Sequence, residues 1–508
     1  MAKFYLTTAI DYSNGDPHLG HALEKVGADA IARYRRLRGD AVHYVMGMDE
    51  HGQKVSQTAE QEGIPPQALA DRLSDRFNTT WRRLLCSHDD WIRTTEPRHE
   101  HAVTTLLTRI QERNPDDLFL GEYEGLYCVG CEEFKAPNQI VDGHCIEHPN
   151  LALVPTRETN HFFRLSRYTT TLNDLIRSGT LAVEPEIRRN EVLGLLAEGL
   201  QDLSVSRVRI PWGIPFPGAP DHTVYVWFDA LINYLSATGY PDPGYQKLWP
   251  ADLHVIGKGI SRFHCVIWPA MLLAAGVELP RKVWAHGYVQ WGGSKVSKSA
   301  GVAVSLDEAI ERHGPDALRY FLLREVGFTN DGDFTWERFD ERYTSDLADG
   351  LGNLASRSLA MLVKYREGRV PETGETTTLD QAGAEVVKVY QAAMDRLELK
   401  SGAEAAWGLV STANQFIVQQ APWALAKAGE TQKLDAALGA LARCLERLAI
   451  LAYPFIPGKA AALWTSLGAK TPLGQGTWSR VQQPAPEGQV VSKPENLFPK
   501  PATTLPTN

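Results

Sequence analysis

The sequence predicts an α/β unit of Rossmann type, split by a zinc-binding insertion and followed by an all-α helical bundle. Three observations carry this reading. Short β-prone runs alternate with helical stretches over residues 1–115. A Cys-x-x-Cys and a Cys-x-x-His interrupt that pattern. From Asp346 to about Leu467 the chain is rich in alanine and leucine at helical spacing, with few β signals.

Phe4-Tyr-Leu-Thr-Thr8 reads as the first strand, and the Asn-, Gly-, Asp- and Pro-rich segment after it reads as a turn. A helix follows from about Gly20. Its apolar face is Ala22, Leu23, Val26, Ala30, Ile31, Tyr34 and Leu37, and Gly39 is placed to stop it. Free N–H groups and the helix dipole favour an anion at such an amino end, His18 and His21 can add donors, and Gly20 allows close approach. Ala41-Val-His-Tyr-Val45 resumes the strand pattern. Residues 1–115 are thus expected to form the first half of a nucleotide-binding unit.

Residues 116–215 carry the insertion. No export signal opens the chain, so its six cysteines are expected in a reducing compartment, where metal binding or burial is favoured over disulfides. Cys128 and Cys131 form one short chelating turn, and Cys145 and His148 form another thirteen residues further on. Together they can close a tetrahedral site for one structural Zn2+, with no position left for water. His144 is a less well-spaced competitor for His148, and a redox Cys-x-x-Cys is the alternative. Cys86, Cys265 and Cys444 have no such spacing and are expected to pack.

Residues 216–284 read as the second half of the α/β unit, and residues 285–345 as a linking subdomain. The latter contains Gly292-Gly-Ser-Lys-Val-Ser-Lys-Ser-Ala-Gly301, whose composition suits a mobile loop. Lys295 and Lys298 within it can follow phosphate charge as it develops in nucleotidyl transfer. Residues 346–470 form the bundle, and residues 471–508 a Pro-rich, loop-like tail. At 508 residues the chain is too long for one ordinary core. Its 43% hydrophobic and 22% charged content, with no apolar run of spanning length and no targeting pattern, predicts a soluble cytoplasmic protein without a membrane partner. The formal charge of −9 does not exclude a nucleic-acid partner, because local patches steer binding.

His18-Leu-Gly-His21 and Lys295-Val-Ser-Lys-Ser299 resemble the two signatures of class I aminoacyl-tRNA synthetases. Met48-Asp-Glu-His-Gly52, Val224-Tyr-Val-Trp-Phe-Asp-Ala230, His254-Val-Ile-Gly-Lys258 and Gln420-Ala-Pro-Trp423, in this order, narrow the resemblance to the methionyl family. The resemblance covers nearly the whole chain. It implies a Rossmann-type catalytic domain that activates L-methionine with ATP and Mg2+ and passes it to tRNA(Met), initiator and elongator. It makes His18, Gly20, His21, Lys295 and Lys298 the ATP-binding set, with His18, His21, Lys295 and Lys298 catalytic. Ile10, Tyr12, Trp227, Ala230, Tyr234 and His264 would line the methionine pocket, and Asp49 would receive the ammonium group. Asn353, Arg357 and Trp423 would read the anticodon with amide, guanidinium and ring. Lacking the dimerisation module of some relatives, the chain is expected to act as a monomer. Two positions depart from the family: Asp11, expected to add a carboxylate near the ammonium site, and Gly259, where an acidic residue is usual. They leave two other readings: an enzyme that activates a different amino acid without tRNA, and a non-catalytic RNA-binding descendant.

Overall fold

The computed structural model describes residues 2–500 apart from 14, 132, 136–138, 209–211, 292–293, 296–304, 475 and 493–495. A seven-stranded sheet lies at its centre: β1 (Lys3–Thr8), β2 (Asp11–Tyr12), β3 (Ala41–Asp49), β4 (Asp90–Arg93), β5 (Ala182–Glu184), β6 (Leu253–Gly257) and β7 (Lys282–His286). All its pairings are parallel, in the order β5, β7, β6, β1, β3, with β2 and β4 both against β3. Met48 pairs with Asp11 on one side and Arg93 on the other, so β2 prolongs the line of β1 past Ala9 and Ile10. From β1 the first half of the chain builds outward through β3 and β4. The second half builds the other way, from β6 to β7. The strand order therefore reverses between β1 and β6, where open parallel sheets leave a ligand crevice at the strand ends.

Side chains alternate along β1. Phe4 and Leu6 enter one buried core and Tyr5 enters the other, as a sheet covered on both faces requires. Helix α1 (Leu19–Leu37) covers the first face, and Gly39, at φ +93°, turns the chain away behind it, as its sequence predicts. The same core runs without a break into Leu354, Leu359, Leu441 and Trp464 of the carboxy-terminal helices. The α/β half and the bundle are thereby packed as one body.

The insertion is built on an antiparallel sheet of Leu203–Ser204, Val154–Phe163, Leu118–Cys128 and Glu133–Lys135. A smaller one, Ile140–Val141, His144–Cys145 and His148–Ala152, carries Cys145 and His148 of the predicted metal-binding turns. The stretch 116–215 is not wholly separate from the central sheet, because β5 lies inside it and pairs with β7. Three residues with one buried apolar side chain, Val183, give too short a signal for sequence periodicity to register. Beyond the linking subdomain, helices Asn353–Arg366, Thr378–Asp395, Leu399–Gln420, Thr431–Ala452 and Pro457–Ser466 form the expected bundle. Thr431–Ala452 is its axis, buried continuously from Ala436 onward. The tail is mostly irregular but not loose: Leu497 and Phe498 are buried, and Trp478 packs against Tyr34 of α1 and Tyr390 of the bundle.

Candidate active site

At the carboxyl ends of β1, β3 and β6 lies a cavity of about 460 Å³, a size suited to a small ligand. Ile10, Tyr12, Asp49, Trp227, Ala230, Tyr234 and His264, predicted from four separate stretches of the sequence, all line it. Trp227 and Ala230 come from the short helix Val226–Ala230, and Trp227 stacks on Phe263 with ring centroids 4.0 Å apart. Phe263 and His264 open a π-helical turn, Phe263–Ile267, whose extra residue re-aims side chains relative to a regular helix. The Tyr234 hydroxyl bonds His264 Nε2 at 2.6 Å, while His264 Nδ1 donates to the Ile260 carbonyl at 3.0 Å. Burial holds this imidazole neutral, with its pKa lowered to about 4. Tyr234 therefore donates to it, and the wall they form carries no charge beside the indole and phenyl rings.

Sequence reasoning missed Phe263, Arg262 and Tyr288 as lining residues, and Lys135, Gln139 and Glu147 of the insertion. The insertion folds back over the cavity, which nothing in its composition announces. Trp227 Nε1 donates to the Cys131 carbonyl at 3.5 Å, tying wall to roof.

Asp11 corrects an expectation. It is buried and directed away from the cavity, 3.1 Å from Lys25 Nζ, and accepts from Trp81 Nε1 at 3.1 Å. Lys25 also donates to Glu24 at 2.9 Å and to the Ala9 carbonyl at 2.5 Å, and Glu24 bonds His286 Nε2 at 3.1 Å. Burial raises the Asp11 carboxyl to about 6 against the pull of Lys25. Burial disfavours the Lys25 cation, but Asp11 and Glu24 outweigh it and raise its pKa. Asp11 is thus a counter-ion under α1, not a second substrate carboxylate. At Gly259 a Cβ would stand 2.0 Å from the Tyr288 hydroxyl, so the place of the usual acidic side chain is taken by a phenol.

His18 and His21 build the start of α1. His18 Nδ1 accepts from the N–H of Gly20 at 3.1 Å and of His21 at 3.4 Å, and His21 Nδ1 accepts from the N–H of His18 at 3.3 Å. This is a capping box made of two imidazoles, stacked 3.7 Å apart. With both Nδ1 atoms accepting, each neutral ring carries its proton on Nε2, which makes that atom a donor. A Cβ on Gly20 would press on His18 Cε1 at 3.0 Å, so the cap itself favours glycine there. Lys295 ends the strand Ser294–Lys295, which pairs with Val289–Trp291. Lys298 and the loop around it lie outside the described residues.

Cys128, Cys131, Cys145 and His148 offer ligand atoms all within 4.8 Å of one another. Cys131 Sγ is 3.6 Å from Cys145 Sγ and 3.2 Å from His148 Nδ1. Tetrahedral Zn–S bonds of about 2.3 Å would put sulfurs roughly 3.7 Å apart, so the donor set fits that ion. His144 is exposed and bonds the Asp142 carbonyl at 2.9 Å, which leaves His148 as the fourth ligand. A Cβ on Gly130 would stand 2.6 Å from the His148 ring, so this knuckle closes only around glycine.

In the bundle, Asn353 is exposed and Arg357 half-buried one turn later on Asn353–Arg366. Trp423 is 47% exposed on Pro422–Ala428, directly after Ala421 at φ +40°. Among the described residues no helix is long and apolar enough to cross a membrane.

A parallel sheet with a cavity at its switch point and an imidazole-capped helix beside it define a class I aminoacyl-tRNA synthetase, and comparison with known proteins agrees. The family described as tRNA synthetases class I (M) matches residues 4–150 and 137–359, and the anticodon-binding domain of methionyl tRNA ligase matches residues 370–504. The chain belongs to this methionyl family. It is 40% identical to the methionine–tRNA ligase of Streptomyces coelicolor over 98% of this chain and 96% of that one, and 42% identical to that of Mesorhizobium japonicum over 98% of each. Among solved structures it is similar to Mycobacterium tuberculosis methionyl-tRNA synthetase in complex with methionyl-adenylate, with a TM-score of 0.93 and 39% identity over 98% of this chain and all of that one. The apo form of the M. tuberculosis enzyme gives 0.87 and 36% over 99% of each.

Proposed function

We propose that the chain is a cytoplasmic, monomeric ligase that activates L-methionine as methionyl-adenylate and transfers it to initiator and elongator tRNA(Met). One observation carries this reading: side chains from four stretches of the chain, most of them apolar or aromatic, meet in one cavity together with the carboxylate of Asp49. An unbranched thioether suits stacked rings, and a carboxylate suits an α-ammonium group.

In the first step an oxygen of the methionine carboxylate attacks the α-phosphorus of ATP, and the bond to the bridging oxygen breaks as pyrophosphate leaves. His18 and His21 donate from Nε2 to phosphate oxygens at the start of α1, where Gly20 lets them approach. Lys295 and Lys298 neutralise charge that grows on the leaving pyrophosphate, and so favour the transition state over the ground state. Mg2+ arriving with ATP would supply positive charge that lowers the repulsion between its phosphates. In the second step a hydroxyl of the terminal tRNA ribose attacks the adenylate carbonyl carbon and AMP leaves. Asn353, Arg357 and Trp423 hold the anticodon. Cys128, Cys131, Cys145 and His148 would hold one structural zinc, whose bonds would help to keep the insertion folded.

Replacing Lys298 tests the chemistry. In stopped-flow adenylate formation, Lys298→Ala is expected to slow the step about 10²–10³-fold while methionine affinity changes little. An unchanged rate would remove the role given to this lysine.

A further inference from the structure

Asp229, in the motif Val224-Tyr-Val-Trp-Phe-Asp-Ala230, has no part in the steps above, and neither has His51 of Met48-Asp-Glu-His-Gly52. The structure joins them. His51 Nδ1 donates to Asp229 Oδ2 at 2.7 Å, and His99 Nε2 donates to Asp229 Oδ1 at 2.6 Å. Asp229 and His99 are fully buried and His51 nearly so.

Each end of the His51–Asp229 bond stands next to the cavity. His51 follows Asp49 by two residues, in the turn that ends β3. Asp229 lies between Trp227 and Ala230 on the helix that forms the apolar wall. The turn has little freedom of its own. Glu50 N–H donates to Thr94 Oγ1 at 3.0 Å, and the Glu50 carboxylate accepts from Arg93 Nε at 2.7 Å and from the Thr95 hydroxyl. Gly52 N–H donates to the Trp212 carbonyl at 3.2 Å, and the Trp212 indole N–H donates to the Glu50 carbonyl at 2.5 Å. On the other side, His99 of the helix Pro97–Arg113 anchors the same carboxylate and bonds Ser236 Oγ at 2.9 Å. The turn after Asp49 and the helix that carries Trp227 and Ala230 are thus linked behind the cavity lining by one short, directional bond.

We propose that His51 is a positioning residue for the amino-acid half of the reaction: through Asp229 it fixes the separation between Asp49, which receives the substrate ammonium group, and the Trp227–Ala230 wall, which receives the thioether. The inference rests on the methionine reading of the cavity given above. An apolar contact of equal size would hold the two segments together but would not set their spacing, whereas a carboxylate taking one N–H on each oxygen fixes both distance and direction. The electrostatics agree with this geometry. Burial alone would raise the Asp229 pKa, but the two imidazoles bring it down to about 2, and it stays ionised. Burial alone would lower that of His51, but Asp229, with Glu50 and Glu100 nearby, raises it.

The test is amino-acid-dependent ATP–pyrophosphate exchange by the full chain, with methionine and ATP varied separately and active sites counted by burst adenylate formation. His51→Leu is expected to raise KM for methionine about tenfold or more, with KM for ATP and kcat per active site within about twofold. His51→Asn, whose side-chain N–H stands where Nδ1–H does, is expected to restore most of the loss. Asp229→Asn keeps the shape of the site and carries the same expectation as His51→Leu should that variant not fold. The double variant His51→Leu/Asp229→Asn is expected to be no worse than the worse single one. An unchanged methionine KM in both single variants, or a loss confined to the fraction of active sites, would overturn the inference and leave the methionine reading standing. No methionine-dependent exchange by the unsubstituted chain would overturn that reading, and the inference with it.

Discussion

Asp11 shows at the scale of one residue how burial changes what a sequence letter means. Its carboxyl, raised to about 6 by burial, stands above an unfolded value of about 3.9. Between those two pH values the folded chain binds this proton more tightly than the unfolded chain. The contribution of Asp11 to stability is therefore greatest below the window and falls as pH rises through it. Urea denaturation between pH 4 and 7 is expected to show a shallower decline for Asp11→Asn than for the unsubstituted chain; equal slopes would place the titration elsewhere. Sequence motifs made the lining residues legible one by one, because each sits in a segment with a recognisable pattern. They could not tell the direction in which Asp11 points, since its partner Lys25 lies across a turn and on a helix. Nor could they pair His51 with Asp229, 178 residues apart. Spacing after Cys145 already favoured His148 over His144, and it is His148 that lies with the three cysteines while His144 is exposed.

At the scale of an element, the proposed mechanism asks one pair of residues, His18 and His21, to serve both the stability of α1 and the chemistry. His18 caps the helix through Nδ1, which puts the proton of the neutral ring on Nε2, the atom assigned above to phosphate. These two duties can be separated. Asn at position 18 can accept at an N-cap but has no atom where Nε2 stands, so His18→Asn is expected to stay within about 0.5 kcal/mol in stability while KM for ATP rises. His18→Ala is expected to lose the cap as well, about 1 kcal/mol. Thermal denaturation and exchange kinetics on the two variants separate the effects; equal loss of stability in both would deny the capping role. The knuckle is a second such element, in which the bonds of the proposed zinc would replace a core. Cys128→Ser is expected to lose most of the bound zinc by atomic absorption and to make residues 118–163 sensitive to protease while the bundle stays resistant. Retained zinc would point to other ligands. The strand–turn–helix of residues 3–37 and the helical bundle were legible because their periodicities run over many residues. The edge strand β5 and the fold-back of the insertion over the cavity were not, because they depend on long-range packing.

Over the whole molecule, a buried guanidinium joins the catalytic half to the bundle. Arg319 is fully enclosed and donates to Asp29 of α1 at 2.7 Å, to the Leu84 carbonyl at 3.0 Å, and to the Pro454 and Phe455 carbonyls at 2.8 and 3.2 Å. Burial would raise the Asp29 pKa, but Arg33 and Arg319 hold it well below the usual carboxylate range. Removing one partner of such a pair leaves a charge unpaired in the interior, and Arg319→Met is expected to cost about 3–5 kcal/mol by denaturant titration. A loss below about 1 kcal/mol would show that the continuous apolar core alone holds the halves together. On the proposed reading that core matters for function, because it fixes the domain that matches an anticodon-binding family relative to the cavity proposed for the amino acid. The central claim is that this cavity takes methionine and that the joined bundle delivers it to tRNA(Met). The most direct measurement is ATP–pyrophosphate exchange with each of the twenty amino acids, followed by aminoacylation of initiator and elongator tRNA(Met). The account predicts exchange with methionine well above the other nineteen and charging of both tRNAs. Exchange with a different amino acid, or methionine exchange with neither tRNA charged, would contradict it.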